Sequence, residues 1–349
     1  MSKYIESFSD IVNDYLKILS DEFPKFLYDY INTPEMQRIN GSSIVCGTDW
    51  SKLYSNKFYY TNLQHSIGVA LIIWHFTKDK KQTLAGLFHD IATPAFKHCI
   101  DFMNGDYKNQ ESTEQLTEDI IKNSKEIMSL LKRDNISIDE VKDYHVYPIA
   151  DNDTPKLSAD RLEYTFMNGI FFKEVWNLET IKKIYDNIEI LINEEGIEEL
   201  GFKNIEVAEK FVNCASKIWP KWIDNKDKLT MQFIADTVRK MNENGLLEIE
   251  DLYKYSEKEI VEKICNCGIK EIEVVFEKFQ NATKIYESNE YVVDKYCISI
   301  DSKRRYIIPL VKYECKISRI KDISDKAKKD IEEYLNFKTE KYAYFDFNF

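Results

Sequence analysis

Ala85-Gly-Leu-Phe-His-Asp-Ile-Ala-Thr-Pro-Ala-Phe-Lys-His98 is the stretch that decides the fold. Its apolar residues predict a helix over about 82–91, and the adjacent pair His89 and Asp90 lies near the end of that helix. The helix must end before Thr93-Pro94, because a residue that precedes proline is pushed away from helical angles. Ending there frees the two side chains to converge, whereas in a regular helix they would project about 100° apart.

Groups of the same chemistry occur in three other places. His65 lies in a predicted helix over about 62–77, and Asp160 lies far downstream in a helix that Ser158 caps or opens. His98 and Asp101 follow the quoted stretch directly. The chain has only five histidines, so three of them in these segments indicate a shared site.

The order of these motifs resembles the HD-domain metal-dependent phosphohydrolases. Within them it is most similar to the branch of deoxynucleoside triphosphate triphosphohydrolases. That branch has a first motif His-Ser-Leu-Gly-Val, for which this chain has His-Ser-Ile-Gly-Val at 65–69. Its middle motif is His-Asp, an aliphatic residue, then Gly, His or Thr, and a Pro-Phe run closing with His. The resemblance covers residues 33–175 clearly.

The resemblance implies one divalent metal held by His65, His89, Asp90 and Asp160. Four protein ligands on an octahedral ion leave two positions open, where a water acidifies toward hydroxide and attacks a polarised phosphorus. Imidazole ligands favour Fe, Mn, Co, Ni or Zn, and Mg is a further possibility only together with substrate phosphates. The alternative is a buried, hydrogen-bonded His-Asp cluster without metal.

The catalytic pair implied by the resemblance is His98 with Asp101. Residues three apart share a face of a helix, so the carboxylate can orient an imidazole that protonates the leaving oxygen. The alternative is an ordinary surface pair of a helix. His75 and His145 are expected to be structural.

Five further positions are predicted to bind substrate. Arg161 stands where the family has a lysine that contacts phosphate, and Tyr164 matches a tyrosine beside the sugar. Asn62 stands where triphosphohydrolases usually have an arginine. Gln110 and Glu111 stand where many members have His-Glu, with the histidine active in proton transfer. An ordinary arginine and a core tyrosine are the alternatives at the first two positions.

The predicted activity is hydrolysis of a nucleotide by a phosphohydrolase similar to dNTP triphosphohydrolases. The alternatives are a nucleotide phosphomonoesterase or cyclic-nucleotide phosphodiesterase, and a non-catalytic module that senses nucleotide. The absence of an arginine at position 62 favours the phosphomonoesterase or phosphodiesterase, and Gln110 favours the module that senses nucleotide. Related enzymes often form dimers or larger rings, so a homo-oligomer is possible.

Charge and cysteine content restrict the partners and the compartment. The net charge is −12 and no dense Lys/Arg block occurs, which argues against nucleic acid as the main partner. Seven cysteines, an odd number, are typical of reduced thiols in a cytoplasmic protein. The longest apolar run, 67–76, is too short to cross a bilayer, so we expect a soluble protein.

The pattern predicts a mainly α fold with a small C-terminal α+β extension. Residues 1–285 are predicted to form the helical HD domain, and 286–349 the extension packed on it. In the extension we expect a hairpin of 291–300 with 305–313, a polar helix over 323–335 and a final strand within 342–349. Further helical patterns cover 111–132, 139–144, 178–195, 204–220, 227–244, 257–266 and 269–284.

Overall fold

The computed structural model describes residues 8–56, 58–110, 112, 116–171 and 175–349, and this part of the chain is mainly helical, as predicted. The helices are α1 (Asp10–Leu19), α2 (Lys25–Ile31), α3 (Pro34–Arg38), α4 (Asn62–Thr77), α5 (Lys80–Phe88), α6 (His98–Met103), α7 (Thr117–Asn123), α8 (Lys125–Arg133), α9 (Ala159–Phe171), α10 (Leu178–Tyr185), α11 (Ile205–Ala215), α12 (Asn225–Glu243), α13 (Glu257–Cys265), α14 (Lys270–Asn281), α15 (Ile320–Ile323) and α16 (Asp325–Leu335). The strands are β1 (Ile188–Ile192), β2 (Glu198–Phe202), β3 (Tyr286–Ser288), β4 (Tyr296–Ile298), β5 (Leu310–Tyr313), β6 (Lys316–Arg319) and β7 (Tyr342–Phe345).

Helix α4 is the central helix of the site, and it packs against α1, α5 and α9. Its start is fixed by a capping box, in which the Thr61 hydroxyl accepts from the Gln64 backbone N–H and the Gln64 side chain accepts from the Thr61 N–H. Because the box fixes the first turn, it also fixes where His65 lies.

Helix α5 ends at Phe88, three residues earlier than predicted, so His89 and Asp90 come immediately after it. The chain then turns sharply and starts α6 at His98. Phe96 and Lys97 both have positive φ angles, 66° and 40°, which is a costly backbone for residues with a Cβ. This strained turn lies between the end of α5 and the start of α6.

The predicted helix over 178–195 is wrong in its second half. Helix α10 ends at Tyr185, and β1 pairs antiparallel with β2. The run Ile188–Ile192 is apolar at nearly every position, so its periodicity does not separate a strand from a helix. The turn that follows decides, because Gly196 adopts a φ of +79° and closes the hairpin.

The predicted hairpin of 291–300 with 305–313 is also wrong. Strand β5 instead pairs antiparallel with β6 and parallel with β2, while β4 and β3 both pair with β7. Glu314 and Cys315, both at positive φ, form the two-residue turn that joins β5 to β6. The predicted final strand and polar helix are confirmed as β7 and α16. The domain boundary at 285 stays a prediction.

One other predicted helix is wrong, since 139–144 contains only short 3₁₀ turns, at Ile138–Glu140 and at the start of Tyr144–Val146.

The buried side chains form two apolar clusters. One contains α1, α4, α5, α9, α11 and the four-stranded sheet, and the other is built around α12 with α6, α13, α14 and β7. None of the described helices combines the length and apolar character needed to cross a bilayer.

Candidate metal centre

His65 is held from behind by a buried carboxylate. Its Nδ1 makes a short hydrogen bond to Glu163, one turn after Asp160 on α9, and the Tyr60 hydroxyl donates to the other Glu163 oxygen at 2.6 Å. Gly68 makes room for this carboxylate, because a Cβ there would lie 2.8 Å from Glu163 Cγ. Imidazoles that bind metal are commonly oriented by such a carboxylate.

His89 is fixed in the same way by a backbone carbonyl. Its Nδ1–H donates to the Gly86 oxygen at 2.7 Å, so its Nε2 carries a lone pair. That Nε2 lies 3.2 Å from Nε2 of His65, whose Nδ1 is already bound to Glu163. Two nitrogen lone pairs at this distance repel each other unless a proton or a cation lies between them.

The two predicted carboxylate ligands lie beside these nitrogens. Asp160 Oδ1 is 3.0 Å from His65 Nε2 and 3.8 Å from His89 Nε2. Asp90 Oδ2 is 3.9 Å and 3.6 Å from the same two atoms. The structure thus brings together all four residues from three separate segments of sequence.

These separations suit one ion. Ligands about 2.1 Å from a metal lie on the order of 3 Å apart when adjacent and about 4.2 Å apart when opposite. The ligand atoms of His65, His89 and Asp160 all lie within 4.8 Å of one another, with donor types that transition metals prefer. Asp90 needs a small movement, because its Oδ2 also accepts from the Lys97 ammonium at 2.6 Å. The residues therefore fit a divalent cation.

The electrostatics of the cluster favour a positive charge beside its carboxylates. Burial alone would lower the pKa of His65, but Glu163 and Asp160 raise it to about 10. Burial opposes ionisation of both carboxyls, yet Lys97 and the two imidazoles hold the pKa of Asp90 below the ordinary range, and the two imidazoles do the same for Asp160. A buried cluster that draws in a proton in this way offers the charge that a cation would neutralise.

The predicted catalytic pair is in contact. His98 Nδ1 lies 2.9 Å from Asp101 Oδ2, and the other Asp101 oxygen accepts from the backbone N–H and hydroxyl of Ser112 at 3.1 and 2.6 Å. His98 lines the cavity beside the metal cluster, whereas Asp101 is fully buried behind it. Burial lowers the pKa of His98, and the bond to Asp101 opposes that shift.

Lys97 was not predicted from the sequence. Its ammonium lies 2.6 Å from Asp90 and 3.4 Å from the Asn62 side-chain oxygen. Asn62 itself is fully buried and is not among the residues that line the cavity, and its role in binding substrate stays a prediction. This side of the site nevertheless has a positively charged group, because the Lys97 side chain reaches it from the strained turn.

Two other residues that were predicted to bind substrate, Arg161 and Tyr164, line the cavity and also contact neighbouring side chains. Arg161 lines the cavity, but its guanidinium donates to Asn152 at 2.6 Å and lies 3.2 Å from Asp151. Tyr164 also lines the cavity, where its ring packs edge-on against Trp222. Their roles in binding substrate stay predictions.

Gln110 lines the cavity with a positive φ of 58°, and its side-chain oxygen accepts from Arg305 at 2.5 Å. Arg305 was not predicted, because it lies 195 residues further along the chain. Glu111 lies outside the described residues. Of the two histidines expected to be structural, His75 packs on Tyr185, whereas His145 lines the cavity.

The cavity has a volume of about 210 Å³ and lies where the two apolar clusters meet. Four aromatic side chains are among its lining residues: Phe102, Tyr144, Tyr164 and Trp222. The charged lining is balanced, with the cationic side chains Lys97, Arg161, Lys303 and Arg305 and the carboxyls Asp90, Asp151, Asp160 and Asp227. One divalent ion would therefore make the cavity attractive to an anion.

Comparison with known proteins gives distant relatives, and no family model matches the chain. The chain is 25% identical over 232 residues to the uncharacterized protein YdhJ of Bacillus subtilis, which covers 65% of this chain and 67% of that protein. It is 22% identical over 167 residues to a metal-dependent phosphohydrolase of Cordyceps militaris. That match covers 46% of this chain and only 45% of the Cordyceps protein.

Two solved structures resemble the whole chain. A phosphohydrolase from Bacteroides thetaiotaomicron has a TM-score of 0.64 at 14% identity, covering 93% of this chain and 96% of that one. A hypothetical protein from Aquifex aeolicus has a TM-score of 0.62 at 15% identity, covering 93% of each chain. The chain has the fold of these two proteins. At such low identity the likeness shows the fold alone.

Proposed function

We propose that the protein is a metal-dependent phosphohydrolase with a nucleotide as substrate. The observation that carries the proposal is the facing pair of Nε2 atoms of His65 and His89, with Asp90 and Asp160 beside them. The names of the Cordyceps relative and the Bacteroides structure support it. A metal from the set Fe, Mn, Co, Ni and Zn suits this mixture of imidazole and carboxylate.

Each group of the chain has a distinct task in this proposal. The bound ion supplies Lewis-acid chemistry, which acidifies water and polarises a phosphoryl oxygen. Glu163 fixes the ring of His65, and Lys97 and Arg305 offer charge to the phosphate oxygens. His98 gives a proton from Nε2 to the leaving oxygen, while Asp101 holds its Nδ1–H.

The finer proposal is an activity similar to dNTP triphosphohydrolases. The adjacent rings of Tyr164 and Trp222, which line the cavity, can pack against a base and a sugar. Lys97 supports this reading, because it supplies a cation near Asn62, where the family has arginine.

A nucleotide phosphomonoesterase is the second candidate, and the size of the cavity favours it. At about 210 Å³ the cavity is smaller than the roughly 300–1,000 Å³ of ordinary ligand sites. A substrate with one phosphate occupies less of this space than one with three.

A panel of substrates separates the candidates. Deoxynucleoside triphosphates, nucleoside monophosphates and cyclic nucleotides would be incubated with the protein and each of the five metals, and phosphorus products would be identified by ³¹P NMR. Tripolyphosphate release supports the triphosphohydrolase, and orthophosphate release from monophosphates supports the monoesterase. The activity should disappear in His89→Ala together with the bound metal, and persist in His75→Ala. No phosphorus product with any substrate and metal would overturn the proposal.

A further inference from the structure

A second cavity, of about 270 Å³, lies between the start of α12, residues 299–304 and residues 337–341. Four basic side chains line it, against two acidic ones. The basic residues are Lys228, Arg304, Lys338 and Lys341, and the acidic ones are Asp301 and Glu340. A positive concavity is unusual on a chain of net charge −12. Such a concavity concentrates anions.

Lys228 is the central observation. The residue is only 7% exposed, and its ammonium donates to the Thr339 hydroxyl at 3.2 Å. Within the described residues it forms no ion pair with a carboxylate, and the charged groups that it faces more distantly are Asp224, Asp301, Glu287 and Arg304. A buried ammonium is costly without a close opposite charge.

Ser302 is the second, independent observation. It lines the same cavity, is 8% exposed, and its hydroxyl has no hydrogen-bond partner among the described residues. Most buried hydroxyls in proteins are satisfied, so a buried hydroxyl without a partner requires a physical reason. A buried cation and an unsatisfied hydroxyl on one cavity are the two kinds of group that bind a phosphate oxygen.

From these features we infer that the second cavity is a binding site for a small phosphate-bearing molecule. Lys228 and Ser302 hold the phosphoryl oxygens, Lys338 and Lys341 add charge at the rim, and Phe337 offers an apolar surface to the organic part. The site does not depend on the activity proposed above, because it contains none of the residues of the first cavity.

The two cavities share one segment of chain. Ser302 and Arg304 line the second cavity, whereas Lys303 and Arg305 line the first, an alternation typical of an extended backbone. Arg304 also anchors the segment by donating to the Tyr334 and Phe337 carbonyls at 3.2 and 2.8 Å. A ligand on Ser302 therefore restrains the backbone that carries Arg305.

Hydrogen–deuterium exchange of the full chain tests the site, with inorganic phosphate, pyrophosphate and ATP as probes and adenosine as the unphosphorylated comparison. Phosphate-bearing probes should slow exchange in segments 223–228, 299–304 and 337–341, and adenosine should not. Protection by ATP but not by inorganic phosphate would identify an organic phosphate, and the reverse would identify free phosphate. Either result supports the site.

Variants make the test specific. Lys228→Met, which removes the buried charge but keeps the length of the side chain, should weaken the probe that binds at least tenfold, and Ser302→Ala should weaken it several-fold. Lys258→Met, an exposed lysine of α13, is the control and should bind normally. Lys97→Met should also retain protection of these segments. No protection at 10 mM of any probe, or equal binding by Lys228→Met, would overturn the inference.

Discussion

The Nε2 atoms of His65 and His89 lie 3.2 Å apart, and the other nitrogen of each ring is already hydrogen-bonded. This arrangement follows from two tautomers fixed from behind, by Glu163 for one ring and by the Gly86 carbonyl for the other. Since neither ring can rotate away without losing that bond, the repulsion of the two lone pairs must be relieved by a proton or a cation between them. The carboxyls of Asp90 and Asp160 lie on the same side.

Glu163 should therefore control how tightly metal is bound. Glu163→Gln leaves the ligands in place but weakens the bond that orients His65, so metal affinity should fall about 10- to 100-fold. Gly68→Ala should act similarly, because its new Cβ would lie 2.8 Å from Glu163 Cγ. Competition with a chelating dye measures the affinity. Glu195→Gln, at an exposed position, is the control, and equal affinity in Glu163→Gln would contradict the prediction.

The sequence predicted the convergence of segments, but it did not predict the groups that support them. The role of Glu163 could have been predicted, since it follows Asp160 by three residues and lies on the same face of the helix. The position of Lys97 in the site could not have been predicted, because it depends on positive φ angles at two residues that are not glycine. Arg305 reaches Gln110 through a long-range contact, which local patterns do not encode.

In the fold, too, some elements could be predicted from the local sequence and others could not. Helices with a clear apolar face, such as α12 and α14, lie within a few residues of their predicted bounds. Strand pairing was missed where the turn residues were not glycine, as at Glu314 and Cys315, or where an apolar run suited both periods, as at Ile188–Ile192. Helical periodicity is local, whereas strand partners depend on the rest of the chain.

Asp101 should affect turnover without affecting the metal. Asp101→Asn keeps the shape of the side chain but can no longer fix His98 with a proton on Nδ1. A general acid contributes about 10²- to 10⁴-fold, so we expect kcat to fall at least 100-fold. Metal content and KM should stay close to those of the unaltered protein. Loss of metal in this variant would indicate a structural role instead.

Lys97 should contribute mainly to phosphate binding. A charge-assisted hydrogen bond is worth about 1.5–3 kcal/mol, so Lys97→Met should raise KM about 10- to 100-fold for a phosphate substrate. Lys97→Arg should restore part of the loss, since it keeps the charge. Lys108→Met, an exposed lysine near α6, is the control. Steady-state kinetics measure the effect, and an unchanged KM in Lys97→Met would exclude this role.

Glu257 should make the protein less stable as pH rises. The carboxyl is 1% exposed, accepts from the Ser43 N–H at 3.0 Å, and has one oxygen without a partner among the described residues. Burial, and then the nearby Asp49, raise its pKa from 4.5 to about 8. Between these values the unfolded chain binds fewer protons than the folded one, so the free energy of unfolding falls with increasing pH.

The size of this effect follows from the shift, because each pKa unit corresponds to about 1.4 kcal/mol and the total is on the order of 4 kcal/mol between pH 4.5 and 8. Glu257→Gln keeps an acceptor for the Ser43 N–H but cannot ionise. Urea unfolding at pH 5 and pH 8 should therefore show a smaller loss of stability in this variant than in the unaltered protein. Glu262→Gln, exposed on the same helix, should keep the full loss. If Glu257→Gln lost as much stability as the unaltered protein, the carboxyl of the folded protein would have to be ionised at both pH values. The Phe96 N–H, in the strained turn, also faces this carboxyl at 3.4 Å, so the turn would then be held by a negative charge.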